Sequence, residues 1–311
     1  MLNKAKNAMN EISKVVTGKD ALVKRITTCI LAGGHIILQD MPGVGKTTMS
    51  LTFARVMGLN YQRILFTPDI MPSNLVQYSI HTQRFETDRT VRTQNNMLLA
   101  DRINASSPEI QSMMVKMMED KKLKVDGEVA LLPEPYVVIA TQNPYDDRLD
   151  VLPDSTIDHF MIGMSVGYPD KASEILMLKS VDVRERIENL NVALYPEDIV
   201  AMRSQVEHVY ASEQILEYIV DIVNESRKSQ LLDIGISPRG TKDILKMAKA
   251  NAFIEGRDYV VPNDVKEVFV DTTNHRVHLS RYAKLENRKS DEILLSIVDR
   301  VPEPKGLERK R

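Results

Sequence analysis

Leu38-Gln39-Asp40-Met41-Pro42-Gly43-Val44-Gly45-Lys46-Thr47-Thr48 is the stretch on which the reading of the whole chain turns. Just before it, His35-Ile36-Ile37-Leu38 is a short apolar run of the kind that forms a buried strand. Just after it, Thr48 to Met57 has helical spacing and stops at Gly58, a C-cap residue. A strand, a glycine loop, Lys-Thr and a helix make a phosphate cradle. The glycines let backbone N–H groups converge on phosphate oxygens, and the helix start adds partial positive charge. Lys46 is placed for the β- and γ-phosphates, and the Thr47 hydroxyl for Mg²⁺. Pro42, Gly43, Val44, Gly45, Lys46, Thr47 and Thr48 are therefore the expected nucleotide-binding segment. One letter departs from the pattern G-x-x-x-x-G-K-[ST]: Asp40 stands where the first glycine belongs.

Downstream, Tyr61 to Phe66 alternates like a second strand, and Pro68 and Pro72 punctuate a turn after which Ser73 is placed to cap a short helix over Asn74 to Tyr78. Arg84 to Asn95 is polar and patternless, so a surface loop or hairpin is expected. Met97-Leu98-Leu99-Ala100-Asp101 is a third apolar strand ending in an acid. A carboxylate at the C-terminal edge of a central strand, beside the phosphate loop, orders a Mg²⁺ shell, so Thr47 and Asp101 are the expected metal residues. Glu109 to Lys121 reads as a helix whose Met113, Met114, Met117 and Met118 fill a core. Lys124 to Leu132 suggests a hairpin turning at Asp126-Gly127. Tyr136 to Thr141 and Phe160 to Val166 are the fourth and fifth strands, and the amide of Asn143 at the edge of the former can face a γ-phosphate and its attacking water.

From Lys171 onward the pattern is helical, with helices expected over Pro196 to Gln205, Ser212 to Leu231, Pro238 to Ile254 and Val261 to Val277. Arg239, at the start of one of them, is a cation able to sense phosphate if it lies near one. The apolar Ile293 to Val298 and the basic Lys305 to Arg311 end the chain. The expected fold is α/β with a parallel central sheet: residues 1–180 a nucleotide-binding domain, 181–280 a smaller helical domain, 281–311 a C-terminal tail.

The 311 residues suit about two domains, and a hydrophobic share of 43% with 27% charged supplies an ordinary core. A net charge of −2 gives no electrostatic case for nucleic-acid binding, and the lack of Trp with only 5% aromatics argues against a stacking surface for single strands. Cys29, the one cysteine, excludes an internal disulfide and suits a reducing cytoplasm as a buried thiol. Met1 to Lys6 leads into no apolar stretch, so no signal peptide is expected, and no run approaches the ~20 apolar residues of a membrane span.

Several stretches together resemble the MoxR family of AAA+ ATPases: Met41 to Thr48, Phe66 to Ser73, Ile103-Asn104, Val125-Asp126-Gly127, Ala140-Thr141-Gln142-Asn143-Pro144, Gly167-Tyr168-Pro169, Ser237-Pro238-Arg239 and Glu255 to Val260. The resemblance implies an αβα sandwich with a helical lid, ATP and Mg²⁺ as ligands, and a homo-oligomeric ring, usually a hexamer, with ATP between subunits. By motif Asn143 looks like sensor 1 and Arg239 like sensor 2, the two residues expected to act in catalysis. It also implies chaperone-like remodelling of client complexes, often beside a von Willebrand factor A domain protein. Two departures bear on chemistry. The family reads Asp-Glu-Ile-Asn-Arg where this chain reads Asp101-Arg102-Ile103-Asn104-Ala105, so Arg102 replaces the glutamate that polarises water. It reads Leu-Asp-Arg-Phe, with a trans-acting arginine, where this chain reads Ile157-Asp158-His159-Phe160. Groups that hold nucleotide remain and groups that cleave it are lost. The sequence therefore points to an ATPase fold with low or lost hydrolysis, either a remodelling ATPase or a nucleotide-gated, non-hydrolysing adaptor.

Overall fold

A computed structural model describes residues 1–71, 90–92, 95–125, 128–143, 152–179 and 182–304. The expected Ser73 cap, the helix over Asn74 to Tyr78, the Asp126-Gly127 turn, Pro144 and the basic Lys305 to Arg311 lie outside them.

Five strands form one parallel sheet: β1 (Ile36–Gln39), β2 (Tyr61–Leu65), β4 (Met97–Asp101), β7 (Val137–Gln142) and β8 (Ile162–Met164), in the order β2-β4-β7-β1-β8. Strand alternation sorts their side chains onto two faces. Ile36, Leu38, Leu99 and Ile139 enter one core cluster, Ile37, Leu98, Val138 and Ala140 another. The first face is covered by α1 (Leu2–Ser13), α2 (Asp20–Leu31) and α3 (Lys46–Val56). The second is covered by α4 (Pro108–Asp120), whose Met114 and Met117 are fully buried as core filling. Ser107 starts α4 by accepting the Ile110 N–H, with Pro108 at the first helical position. This is the αβα sandwich expected from the sequence. In a side sheet, the hairpin expected over Lys124 to Leu132 is present as β5 (Lys122–Val125) with β6 (Glu128–Leu131), and Thr90–Arg92 (β3), inside the stretch read as a surface loop or hairpin, pairs with β6 as a third strand. Three residues of strand held by a non-local partner leave no periodic signal in the sequence.

The short helices α5 (Asp154–Ile157), α6 (Lys171–Lys179) and α7 (Val183–Glu188) lead out of the sheet domain. The lid is built from α8 (Pro196–Glu207), α9 (Glu213–Lys228), α10 (Pro238–Ile254) and α11 (Pro262–Thr273). It also holds a small antiparallel pair, Leu232–Ile234 (β9) with His278–Leu279 (β10), that helical periodicity did not suggest. Beyond it, α12 (Arg281–Leu285) and α13 (Ser290–Arg300) continue the packed structure: Ile293 and Leu294 are fully buried in the main core, so residues 281–300 are folded against the lid and not a loose tail.

The Glu255 to Val260 stretch has a structural role here. Asp264, fully buried, accepts from Arg257 at 2.6 Å, from Asn251 at 2.9 Å and from the Val261 N–H at 2.8 Å, fixing the start of α11. Asp264→Ala strands a largely buried guanidinium and is expected to cost about 3 kcal/mol in a urea melt; a loss under ~1 kcal/mol would mean that Asp264 is not what holds this corner.

Candidate nucleotide-binding site

The phosphate loop leaves β1 and ends at Gly45, which caps α3 with φ +91°. Gly43 has the same φ, and a β-carbon at either glycine would meet nothing within 4 Å. The left-handed backbone, and not crowding, is what demands glycine at these positions. The start of α3 thus borders open space. Lys46 Nζ donates to the carbonyls of Asp40 (3.0 Å) and Met41 (2.6 Å), and among the described residues it makes no ion pair. Burial pushes its ammonium below the usual lysine value, against the pull of Asp40 and Asp101.

Asp40 explains its own departure from the motif. Its Oδ2 accepts from Ser165 Oγ (2.9 Å) and the Gly167 N–H (2.8 Å), and its Oδ1 from the Met41 N–H (3.1 Å). Only 6% exposed, the carboxylate ties the loop's first residue to the segment after β8. A second tie runs from Lys19 Nζ to the Tyr168 carbonyl (2.6 Å).

A cavity of about 640 Å³ opens above the C-terminal ends of β1, β4 and β7. Pro42, Gly43, Gly45, Lys46, Thr47 and Thr48 line one wall, and Asp101, Arg102 and Asn143 line the other. Val44, partly buried, packs against the core instead. The Asp101 carboxylate is engaged at both oxygens. Oδ1 accepts from Thr141 Oγ1 at 2.7 Å, and Oδ2 accepts from Arg63 Nε at 3.1 Å and from its Nη2. Thr141 Oγ1 also accepts the Arg102 N–H at 2.9 Å, and Arg102 sits in the left-handed region at φ 60°. Arg63 and Thr141 were missed in the sequence. Their one signal was a cation and a hydroxyl on the strands flanking an acid-terminated strand.

Arg239 lies elsewhere. It joins a second cavity, about 430 Å³, lined by Gly33, Gly34, Glu119, His159, Lys242 and Lys246 among others. These residues precede β1 and β8, so the cluster faces the N-terminal edge of the sheet, opposite the phosphate loop. Arg239 Nη1 meets His159 Nδ1 at 2.6 Å and Nη2 donates to Glu119 Oε1 at 2.9 Å. Burial first, then the Arg239 guanidinium, holds His159 below the ordinary histidine value, which leaves Nδ1 a neutral acceptor. Ser237 Oγ donates to Asp158 at 2.8 Å and Arg276 to the Phe160 carbonyl at 2.7 Å, so the lid grips the Asp158-His159-Phe160 segment. The structure thus brings Lys46, Thr47, Asp101, Arg102 and Asn143 together and sets Arg239 beside His159.

The first cavity fits a nucleotide. Its glycine loop is open, its lysine side chain is bonded to two backbone carbonyls, and among the described residues the buried Gln142 Oε1 on its wall has no hydrogen-bond partner. The same residues fit a resident Mg²⁺ poorly: Asp101, the carboxylate expected to order its shell, is already neutralised by Arg63, and Arg102 follows it.

Residues 35–162 match the model of the ATPase family associated with various cellular activities, and residues 224–297 match the AAA lid domain. Sheet, cradle and lid thus define an AAA+ ATPase. The chain is 36% identical to the YeaC protein of Bacillus subtilis, over 96% of this chain and 94% of that one. It is 32% identical to Chaperone MoxR1 of Mycobacterium tuberculosis, over 94% and 80%, and 25% identical to Protein MoxR of Methylorubrum extorquens, over 94% and 93%. A solved structure described as a candidate ATPase from Cytophaga hutchinsonii superposes with a TM-score of 0.84 at 30% identity, covering 98% of this chain and 96% of that one. The chain belongs to the MoxR family of AAA+ ATPases.

Proposed function

We propose that this chain binds ATP in the cavity above β1, β4 and β7 and hydrolyses it slowly or not at all, so that occupancy more than turnover drives the remodelling of a client complex. The observation that carries the reading is Arg102 on the cavity wall directly after Asp101. A guanidinium cannot accept a proton from an attacking water, so the position held by a glutamate in related sequences supplies no base here. Asn143 remains at the strand edge to meet the γ-phosphate. Mg²⁺ enters this reading only as a companion of the nucleotide, with Thr47 on the wall to meet it.

Arg239 supports a ring. Its position at the opposite sheet edge, beside the His159 that stands where the family has a trans-acting arginine, supports the reading that it serves a neighbouring copy's nucleotide. A homo-oligomer, a hexamer by family likeness, follows, with a von Willebrand factor A domain protein as the expected partner. The non-hydrolysing adaptor is the limiting form of the same reading and is favoured by the same Arg102. No helix among the described residues is long and apolar enough to cross a membrane. The single buried cysteine suits a reducing, cytoplasmic setting.

The test is ATP affinity of the wild type against Lys46→Ala. Losing the charge-assisted bonds to phosphate should weaken binding at least ~10-fold. Equal affinity in the two proteins would place the nucleotide elsewhere.

A further inference from the structure

Among the described residues, five charged side chains line the nucleotide cavity: Lys46, Arg63 and Arg102 against Asp40 and Asp101. The two carboxylates are not equivalent. Asp40 spends its oxygens on Ser165 Oγ and the Met41 and Gly167 N–H groups, so its charge is stabilised by fixed dipoles. Asp101 is the carboxylate a triphosphate would meet, and such a pair repels unless a cation lies between them. In this chain that cation is built in. Arg63 is forked onto Asp101 Oδ2 through Nε and Nη2, from the neighbouring strand, where Leu65 pairs with Asp101 in register.

We propose that Arg63, with Arg102, replaces the bridging charge of a divalent ion, so that this cavity takes its nucleotide without Mg²⁺. The inference rests on the nucleotide-binding reading above. Arg63 neutralises Asp101 and lines the cavity wall. Arg102 adds a guanidinium suited to phosphate at the position next to Asp101. Among the described residues Lys46 is held by two carbonyls and no carboxylate, so within them it has no ion pair to give up when phosphate arrives. Among the described residues of the wall, three cations stand against two carboxylates before any metal is added.

The experiment is equilibrium binding of ATP and of ADP, by calorimetry, to the full chain in excess EDTA and again in millimolar Mg²⁺. The wild type should bind with affinities that agree within about threefold between the two conditions, a difference under ~1 kcal/mol. Arg63→Gln and Arg102→Gln should each keep binding in Mg²⁺ and lose ~10- to 100-fold in EDTA, the worth of a hydrogen bond to a charged group. Retained binding in Mg²⁺ also shows that the variant is folded. Should Arg63→Gln fail in both conditions, Arg102→Gln, on an exposed residue, decides alone. Wild-type binding that needs Mg²⁺ overturns the inference and leaves the nucleotide site standing. Variants that still bind in EDTA overturn the role of the arginines. No binding by the wild type in either condition overturns the nucleotide-binding reading itself.

Discussion

Arg102→Glu is expected to raise steady-state ATP turnover by at least ~10²-fold, toward the ~10²- to 10⁴-fold that a positioned general base supplies. The substitution is structurally mild. Arg102 already holds the left-handed backbone that any replacement must adopt, and its N–H is fixed by Thr141 Oγ1 at 2.9 Å. A glutamate there starts from the same strand end as Asp101, facing the cavity that Lys46 and Asn143 also line. Among the described residues the change also reverses the wall, from three cations against two carboxylates to two against three. Turnover should therefore be measured at saturating ATP with Mg²⁺, where a weaker affinity does not mask a faster chemical step. No gain at saturation would mean that the block lies elsewhere, at the His159–Arg239 edge. A stabilising arginine at a neighbour's phosphate is worth ~10³- to 10⁵-fold in related chemistry.

Acidification should destabilise the fold steeply. His35 is buried at the start of β1, where its Nδ1 accepts the Val138 N–H at 3.0 Å, and burial lowers its pKa to about 4. His275, half-buried just after α11, has its Nε2 on the Phe160 carbonyl at 2.8 Å, and burial lowers its pKa to about 3. Both values lie below the ~6.5 of an unfolded histidine, so as the pH falls the unfolded chain takes up these protons first. Their contribution to stability is whole above pH ~6.5 and is withdrawn as the pH falls toward about 4 for His35 and about 3 for His275. At ~1.4 kcal/mol per pH unit, His35 alone withdraws about 3 kcal/mol by pH 4. Urea melts at pH 7 and pH 4.5 should show the loss. His35→Gln, which keeps an acceptor for Val138, should flatten it. A stability independent of pH over this window would contradict the burial of both rings.

Much of the sheet domain was legible because its signals are local. The strand–loop–helix around Lys46, the acid at the end of β4 and the methionines of α4 each declare themselves within a dozen residues. What the sequence did not show depends on which distant segments meet. Asp40 looked like a flaw in a motif until Ser165 and Gly167 were seen to hold it. Arg63 looked like one polar position of an alternating edge strand, and only the pairing of β2 with β4 puts it on Asp101. Arg239 was recognisable as a sensing arginine by its Ser-Pro-Arg context. Which edge of the sheet it serves is set by how the lid docks, through Ser237, Arg276 and the Asp158 segment. The β9–β10 pair and β3 are too short to carry a period. Helix α13, apolar on one face, was visible as a run but not as part of the lid's core.

The central claim is a site built to hold ATP and not to cut it, and the measurement that meets it most directly is affinity and turnover on one wild-type sample. The account predicts saturable ATP binding, abolished or much weakened in Lys46→Ala, with turnover far below the ~1 s⁻¹ at the low end of ordinary enzymes. Turnover at ~1 s⁻¹ or faster that disappears in Lys46→Ala would contradict it, and would require a base near Asp101 other than residue 102.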